Sequence, residues 1–205
     1  MAIRTAAAPV RIRHLSAPEQ RLRAPSATLL VALGLGAPSA LALEVVSLET
    51  RVTDGSYRVT LDVLLDAPAG QVARVLTDYA GYVALDPRIR KSEVIGATPA
   101  GDLLVHTRIV ACAAFFCRNV ARVEQVRRLE GRLLAEVVPA RSDLRRGWTR
   151  TDWSDEHGRT RVRYTAEFEP DFWVPAVVAR SYASTTLKES VLQLFQNVEG
   201  RARAH

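Results

Sequence analysis

The feature that most constrains the fold is a change in the spacing of apolar residues along the chain. From Tyr57 to Leu65 apolar residues occupy every second position, which is typical of a half-buried strand. Toward the C-terminus, Leu187, Val191, Leu194 and Val198 instead recur at steps of three and four, which predicts a helix of roughly 20–25 residues. The apolar face of that helix must be buried, and a sheet is the surface available to it.

The residues between these two elements predict short helices first and strands afterwards. Val72, Val75, Leu76 and Tyr79 share one helical face behind Pro68, and a second helical turn is expected at residues 81–85. Six strands separated by turn residues are predicted at 91–97, 103–111, 118–127, 133–138, 147–153 and 160–168. The predicted fold class is therefore α+β, with a curved antiparallel sheet wrapped around a long C-terminal helix and two short helices after the first strand.

Composition excludes several classes of protein. Apolar residues make up 48% and charged residues 24% of the 205 residues, which rules out a wholly disordered chain. No uninterrupted apolar stretch reaches the length of about 18 residues that a multi-span membrane protein needs repeatedly. The two cysteines cannot form a four-thiolate zinc site, and no other metal signature is visible, so we expect neither a metal nor a cofactor.

The first 42 residues have the order of a secretory signal peptide. Residues 1–26 carry five arginines and one glutamate, residues 27–36 form a short apolar run, and Ala40-Leu41-Ala42 is a small-x-small site. We therefore predict cleavage after Ala42 and export to the periplasm or beyond, leaving residues 43–205 as the folded domain. An uncleaved membrane anchor and a mitochondrial transit peptide remain alternatives.

Loss of that segment also alters the charge of the chain. It removes five arginines and one glutamate, which lowers the formal net charge from +6 to +2. The remaining basic residues are almost all arginine, a bias that we attribute to coding composition. Without a clustered basic face this bias does not indicate nucleic acid as a partner.

Three segments together have the pattern of a known family. They are Asp66-Ala67-Pro68 with Val72, Val75-Leu76-Thr77-Asp78-Tyr79, Tyr82 and Pro87; Gly158 to Tyr164; and Pro170-Asp171-Phe172-Trp173-Val174-Pro175. From about residue 45 to residue 200 the chain resembles the START-like (SRPBCC, helix-grip) superfamily, and within it the polyketide cyclase/dehydrase and coenzyme Q-binding (lipid transport) branch. This resemblance implies a single domain that binds a quinone, lipid or polyketide-like molecule between the C-terminal helix and the sheet.

The two cysteines lie on either side of a predicted hairpin turn. Cys112 and Cys117 are separated by four residues and can face each other if the flanking strands pair. An oxidising periplasm would permit a disulfide between them. Two free thiols in an apolar turn are the alternative.

Six residues are candidates for ligand binding. Tyr79 and Tyr82 lie at the end of the first predicted helix, near the expected cavity mouth, where a hydroxyl could orient a ligand carbonyl. His106 and Arg108 share one face of a strand and would act on a ligand oxygen if that face is the inner one. The opposite face, with Val105, Thr107 and Ile109, is an equally plausible inner face.

The remaining two candidates, Phe172 and Trp173, precede the final helix and could form an aromatic lip at a membrane interface. Packing of both rings against the sheet is the alternative reading.

No nucleophile motif, phosphate loop or pair of catalytic carboxylates is recognisable, which favours a binding module over an enzyme. The expected protein is a monomer that binds a hydrophobic small molecule or lipid and makes peripheral contact with a membrane. A cyclase- or dehydratase-like enzyme that uses the same cavity is the alternative, and an envelope scaffold with a vestigial cavity is a third.

Overall fold

The structure is a computed structural model that describes residues 43–113 and 116–204. The predicted leader and its cleavage site at Ala42 lie outside the described residues. Eight strands form one antiparallel sheet in the order β1-β2-β8-β7-β6-β5-β4-β3. Their bounds are β1 Glu44–Thr53, β2 Ser56–Leu65, β3 Ile89–Ala97, β4 Leu103–Ala113, β5 Phe116–Leu129, β6 Arg132–Val137, β7 Leu144–Glu156 and β8 Arg159–Pro170.

The first hairpin follows directly from its two turn residues. Asp54 and Gly55 both adopt positive φ, at 51° and 82°, and connect β1 to β2. A two-residue turn of this kind matches the right-handed twist of the strands it joins, and glycine and aspartate tolerate it best. The alternation predicted for Tyr57 to Leu65 is confirmed, because all five apolar residues of that series are buried on one face of β2.

Two short helices follow, as predicted. Helix α1 (Ala69–Thr77) begins after Pro68 and buries Val72, Val75 and Leu76. Helix α2 (Tyr82–Leu85) buries Leu85 and ends before Pro87. Proline suits the first position because it has no backbone N–H to leave unbonded. These helices cover one end of the sheet.

The strands from β3 to β8 confirm the predicted antiparallel series. Each consecutive pair is antiparallel, and β2 pairs with β8, so the first hairpin joins the last strand of the series. The resulting sheet presents one inner face toward the C-terminal helix. Its core includes Val59, Leu61, Val63 and Val162, each at most 1% exposed.

The long C-terminal helix is also confirmed, with an interruption that the spacing of apolar residues did not indicate. Helix α3 (Ala176–Ser181) leads into a π-helical turn at Tyr182–Thr186 and then into α4 (Leu187–Arg203). Of the predicted series, Leu187, Val191 and Val198 are buried and Leu194 is half-buried, while the adjacent Phe195 is fully buried. π-helical turns are uncommon and often lie beside functional sites, and here the turn lies directly over the cavity described below.

Candidate functional site

A cavity lies between the inner face of the sheet and the C-terminal helical segment, and it is divided into two chambers. The larger chamber has a volume of about 190 Å³ and the smaller about 110 Å³. Apolar side chains dominate the walls of the larger chamber, which include Val59, Ile109, Ala111, Val120, Val137, Leu144, Ala166, Phe168, Phe172, Val174, Val178 and Leu187. A mostly apolar concave site with few polar groups is the usual form of a small-molecule site.

The predicted ligand-binding residues His106 and Arg108 both lie on β4, so their position relative to the cavity depends on which face of that strand points inward. Val105, Thr107, Ile109 and Ala111 line the chambers, so His106 and Arg108, which alternate with them in the middle of the strand, point to the other face of the sheet. This corrects the interpretation that placed His106 and Arg108 in the cavity. On the outer face the Nδ1 atom of His106 lies 3.6 Å from Oε1 of Glu93.

Tyr79 and Tyr82 both line the smaller chamber, and both hydroxyls already have partners. The Tyr82 hydroxyl donates to the carbonyl oxygen of Leu76 at 2.7 Å, and the Tyr79 hydroxyl accepts from Nε of Arg128 at 3.4 Å. Burial, followed by the neighbouring Tyr79, raises the pKa of Tyr82 above its ordinary value. The two residues therefore offer aromatic surface to a ligand rather than free hydroxyls, and their role in binding stays a prediction.

Phe172 and Trp173, although adjacent, are in different surroundings. Phe172 lines the larger chamber, and the guanidinium of Arg118 lies 4.1 Å from the centre of its ring. Trp173 is 80% exposed, and Val177 in the first turn of α3 is 71% exposed. Of the two residues of the predicted lip, Phe172 therefore faces the cavity and Trp173 faces solvent.

The β4–β5 hairpin carries a disulfide. Cys112 and Cys117 are directly opposite each other on the two strands and are joined. Cys112 also lines the larger chamber. The cross-link therefore holds the two strands together where they form the wall of that chamber.

Four residues that the sequence did not single out line both chambers: Arg122, Glu124, Thr149 and Tyr164. The Nε atom of Arg122 lies 3.0 Å from Oε2 of Glu124, whose side chain is only 8% exposed. Burial raises the pKa of Tyr164, so its phenol stays protonated at neutral pH. We call these four residues the polar junction.

Only Tyr164 of the polar junction could have been found from the sequence. It falls on the predicted inner face of β8 with Val162, Ala166 and Phe168. Arg122 and Glu124 were hidden because β5 carries apolar residues of both parities, Val120 on one face and Val123 on the other. Where apolar residues occupy both faces of a strand, the sequence does not indicate which face the charged residues of that strand occupy.

The described residues give no sign of two other kinds of site. Across 43–113 and 116–204, no three metal-ligating side chains lie together in a way that could hold an ion. Within the same ranges, no helix has the length and apolar character needed to cross a membrane.

An eight-stranded antiparallel sheet closed over by a C-terminal helix, with an apolar cavity between them, defines the helix-grip fold. The family described as polyketide cyclase/dehydrase and lipid transport matches residues 56–199, which is more than half of the chain. The chain therefore belongs to this family. No curated protein matches the chain by sequence.

Solved structures agree on the fold. A STAR-related lipid transfer protein from Xanthomonas axonopodis is 18% identical, with 82% of this chain and 97% of that chain covered and a TM-score of 0.58. A START superfamily protein from Mycobacterium smegmatis is 16% identical, covering 72% and 97%, with a TM-score of 0.57. The Zhui aromatase/cyclase from Streptomyces sp. R1128 is 18% identical, covering 72% and 94%, with a TM-score of 0.56. At these identities the likeness concerns the fold alone.

Proposed function

We propose that this domain binds a hydrophobic small molecule or lipid in the two-chambered cavity, without chemical conversion. The observation that carries the proposal is the larger chamber itself, a cavity of about 190 Å³ with mostly apolar walls. Removing the apolar surface of a ligand from water supplies the binding free energy, at about 25 cal/mol for each Å². A quinone, a lipid and a polyketide-like molecule all have the required apolar character.

The finer part of the proposal is that the ligand enters from a membrane surface. Trp173 and Val177 expose apolar side chains next to Phe172 and Val174, which line the larger chamber. Tryptophan is favoured at the boundary between lipid and water because its ring is apolar and its N–H can reach a polar group. Arg180, also exposed and three residues beyond Val177, suits an anionic headgroup.

The proposed location is outside the cytoplasm, in the periplasm or beyond. The disulfide between Cys112 and Cys117 supports this proposal, because such bonds persist in oxidising compartments. The first strand begins at Glu44, so cleavage after Ala42 would leave every described element intact. Sequencing the N-terminus of the protein isolated from its own cells tests the cleavage site.

A cyclase- or dehydratase-like activity is the second candidate. The observation in its favour is the polar junction, where Arg122, Glu124 and Tyr164 lie together in the cavity and could polarise a ligand carbonyl. His106 and Arg108 no longer contribute to it, because they face away from the cavity. Incubation with an aromatic polyketide precursor, followed by mass spectrometry, would reveal loss of water if this activity exists.

The binding proposal is tested by fluorescence titration of the full chain with N-phenyl-naphthylamine, a probe that brightens in apolar surroundings. Ala111→Phe places a large ring in the larger chamber and should weaken probe binding at least about tenfold, which corresponds to about 1.4 kcal/mol. Val110→Phe is the matched control, since it adds a ring to the other face of the same strand and should leave the affinity unchanged. Equal affinity in both variants would overturn the proposal.

A further inference from the structure

A β-bulge in the edge strand β3 places two consecutive cations on the outer face of the sheet. Ile89 pairs with Ile109 on β4. Two residues further along β3, Lys91 pairs with Arg108, which directly precedes Ile109. Arg90 is therefore the additional residue of a bulge, which redirects side chains that would alternate in a regular strand. Arg90 and Lys91 are both exposed, with a buried residue on either side of them.

Arg108 adds a third cation directly opposite these two. It alternates with Thr107 and Ile109, which line the cavity, so its side chain points to the outer face of β4. We call Arg90, Lys91 and Arg108 the cation triad. Like charges that face each other across paired strands destabilise a sheet. Repulsion within the triad therefore lowers the stability of the fold, and an uncharged side chain in place of Arg108 would relieve it.

Acidic side chains offset only part of this charge. Glu93 forms an ion pair with Lys91, with 2.6 Å between its Oε1 atom and the Nζ atom of the lysine. In the part of the chain that the structure describes, no carboxylate lies within ion-pair distance of Arg90 or Arg108. A guanidinium group stays protonated at every physiological pH. The triad therefore presents two positive charges to solvent without an acidic partner.

The cation triad lies at the same end of the cavity as the exposed Trp173 and Val177. Ile109, next to Arg108, lines the larger chamber. Helix α3 packs against β4 and carries Val177 and a further exposed cation, Arg180. Electrostatic attraction in salt solution extends over about 10 Å at an ionic strength of about 0.1 M. A negatively charged surface that touches Trp173 therefore attracts nearby cations even where they do not touch it.

We propose that the cation triad binds a membrane surface that contains anionic phospholipid. Each lysine or arginine close to such a surface strengthens binding, and lipid phosphates between the cations relieve their mutual repulsion. Trp173 and Val177 add apolar contact at the same end of the cavity but carry no charge. This inference rests on the membrane entry in the proposed function, and it adds the charge that the membrane must carry.

Co-sedimentation with vesicles of the protein purified from the cells that make it tests this surface. One set of vesicles contains equal parts of phosphatidylglycerol and phosphatidylcholine, and the other contains phosphatidylcholine alone. Replacing Arg90 and Arg108 together by glutamine should weaken binding to the anionic vesicles at least about tenfold, since each cation near the surface contributes about a factor of five. Binding to phosphatidylcholine alone should not change. High salt should bring the wild type to the level of the variant.

The matched control removes the same number of charges elsewhere on the protein. Arg51→Gln combined with Arg163→Gln replaces two exposed arginines, on β1 and β8, and should keep the vesicle binding of the wild type. Replacing Arg90 and Arg108 together by lysine keeps both charges and should also keep it. In urea denaturation, the glutamine variant of the triad should unfold at the same or a higher midpoint than the wild type, because repulsion between like charges is removed.

Several results would overturn the cation triad as a membrane-binding surface. Equal losses in the two glutamine variants would reflect net charge alone, and equally tight wild-type binding to both kinds of vesicle would exclude a role for lipid charge. A lower unfolding midpoint in the triad variant would show that its arginines stabilise the fold. Tighter binding of double-stranded DNA than of the anionic vesicles would assign the triad to a different polyanion.

The proposed function fails on a different measurement. The triad lies outside the cavity, so its glutamine variant should bind N-phenyl-naphthylamine with the affinity of the wild type. Absence of probe binding in the wild type would overturn the binding function itself. Normal probe binding by the wild type, together with vesicle binding that does not depend on Arg90 and Arg108, would overturn the triad and leave the binding function standing.

Discussion

The two ends of the cavity are built in contrasting ways. At the smaller-chamber end, polar contacts join the region of the short helices to α4: Asn197 donates to the carbonyl oxygen of Leu85 at 2.5 Å, and Arg201 pairs with Asp78 at 3.1 Å. At the larger-chamber end, Trp173 before α3 and Val177 in the first turn of α3 are exposed to solvent. Side-chain hydrogen bonds and ion pairs connect the elements at the first end, whereas apolar side chains are exposed to solvent at the second.

The contrast suggests different roles for the two ends of the domain, one in stabilising the fold and the other in ligand entry and release. Buried apolar contacts and satisfied hydrogen bonds make local opening costly, whereas regions with few such contacts open more readily. We therefore interpret the smaller-chamber end as a fixed base and the larger-chamber end as the entrance. Substitutions at the two ends should separate stability from binding.

The largest expected loss of stability comes from the fixed base. Phe195 is 1% exposed, lines the smaller chamber and packs edge-on against Tyr164 with 5.4 Å between ring centres. Phe195→Ala should lower the free energy of unfolding by about 3–5 kcal/mol, as measured by urea denaturation. Gln196→Ala, on the exposed side of the same helix, is the control and should change it by less than about 0.5 kcal/mol. A similar loss in both variants would refute the division into two ends.

The next effect concerns the disulfide beside the entrance. Replacing Cys112 and Cys117 together by serine should reduce the free energy of unfolding by about 2 kcal/mol, because a six-residue loop is no longer closed in the unfolded chain. Denaturation of the wild type with and without reductant measures the same quantity. If the reduced and oxidised proteins unfold at one denaturant concentration, the bond makes no contribution to stability.

A smaller effect is expected at alkaline pH. The pKa of Tyr82 is raised above that of a tyrosine in the unfolded chain, mainly by burial. Its contribution is therefore complete below about pH 10 and is lost as the pH rises, since the unfolded chain gives up its proton first. Tyr82→Phe should cost about 1 kcal/mol at neutral pH through the lost bond to Leu76, yet flatten the alkaline decline. An unchanged slope in the variant would contradict the assignment.

The smallest effect on stability is expected at the entrance. Trp173→Ala should alter the free energy of unfolding by less than about 0.5 kcal/mol, because the side chain is 80% exposed. The same variant should bind less well to vesicles that contain anionic phospholipid, as measured by co-sedimentation. Val94→Ala removes an exposed apolar side chain from β3, outside the proposed entrance, and should leave vesicle binding unchanged. Equal vesicle binding by the wild type and both variants would refute membrane contact through Trp173 at the proposed entrance.

The strand from Tyr57 to Leu65, the short helices and the C-terminal helix could be predicted because each has a clear period along the sequence, whereas β1 was not among the predicted strands. The alternation of Tyr57 to Leu65 and the steps of three and four in α4 both result from burial on one face. The residues of the site were harder to predict, since a cavity wall tolerates polar residues that a packed core does not, and the alternation of apolar residues is then less regular. His106 and Arg108 were placed on a candidate inner face, whereas Arg122 and Glu124 were overlooked. Which of the two alternating sets of residues on a strand faces the helix becomes clear only from the pairing of the strands in the structure.

The central claim, that an apolar molecule occupies the cavity, is tested most directly by native mass spectrometry of the protein purified from the cells that make it. We expect the wild type to carry a lipid, a quinone or a related molecule in a near-stoichiometric amount, identified after solvent extraction. Ala111→Phe should be purified empty, and Val110→Phe should be purified loaded. A wild type without a bound molecule, or the same cargo in Ala111→Phe, would contradict the account.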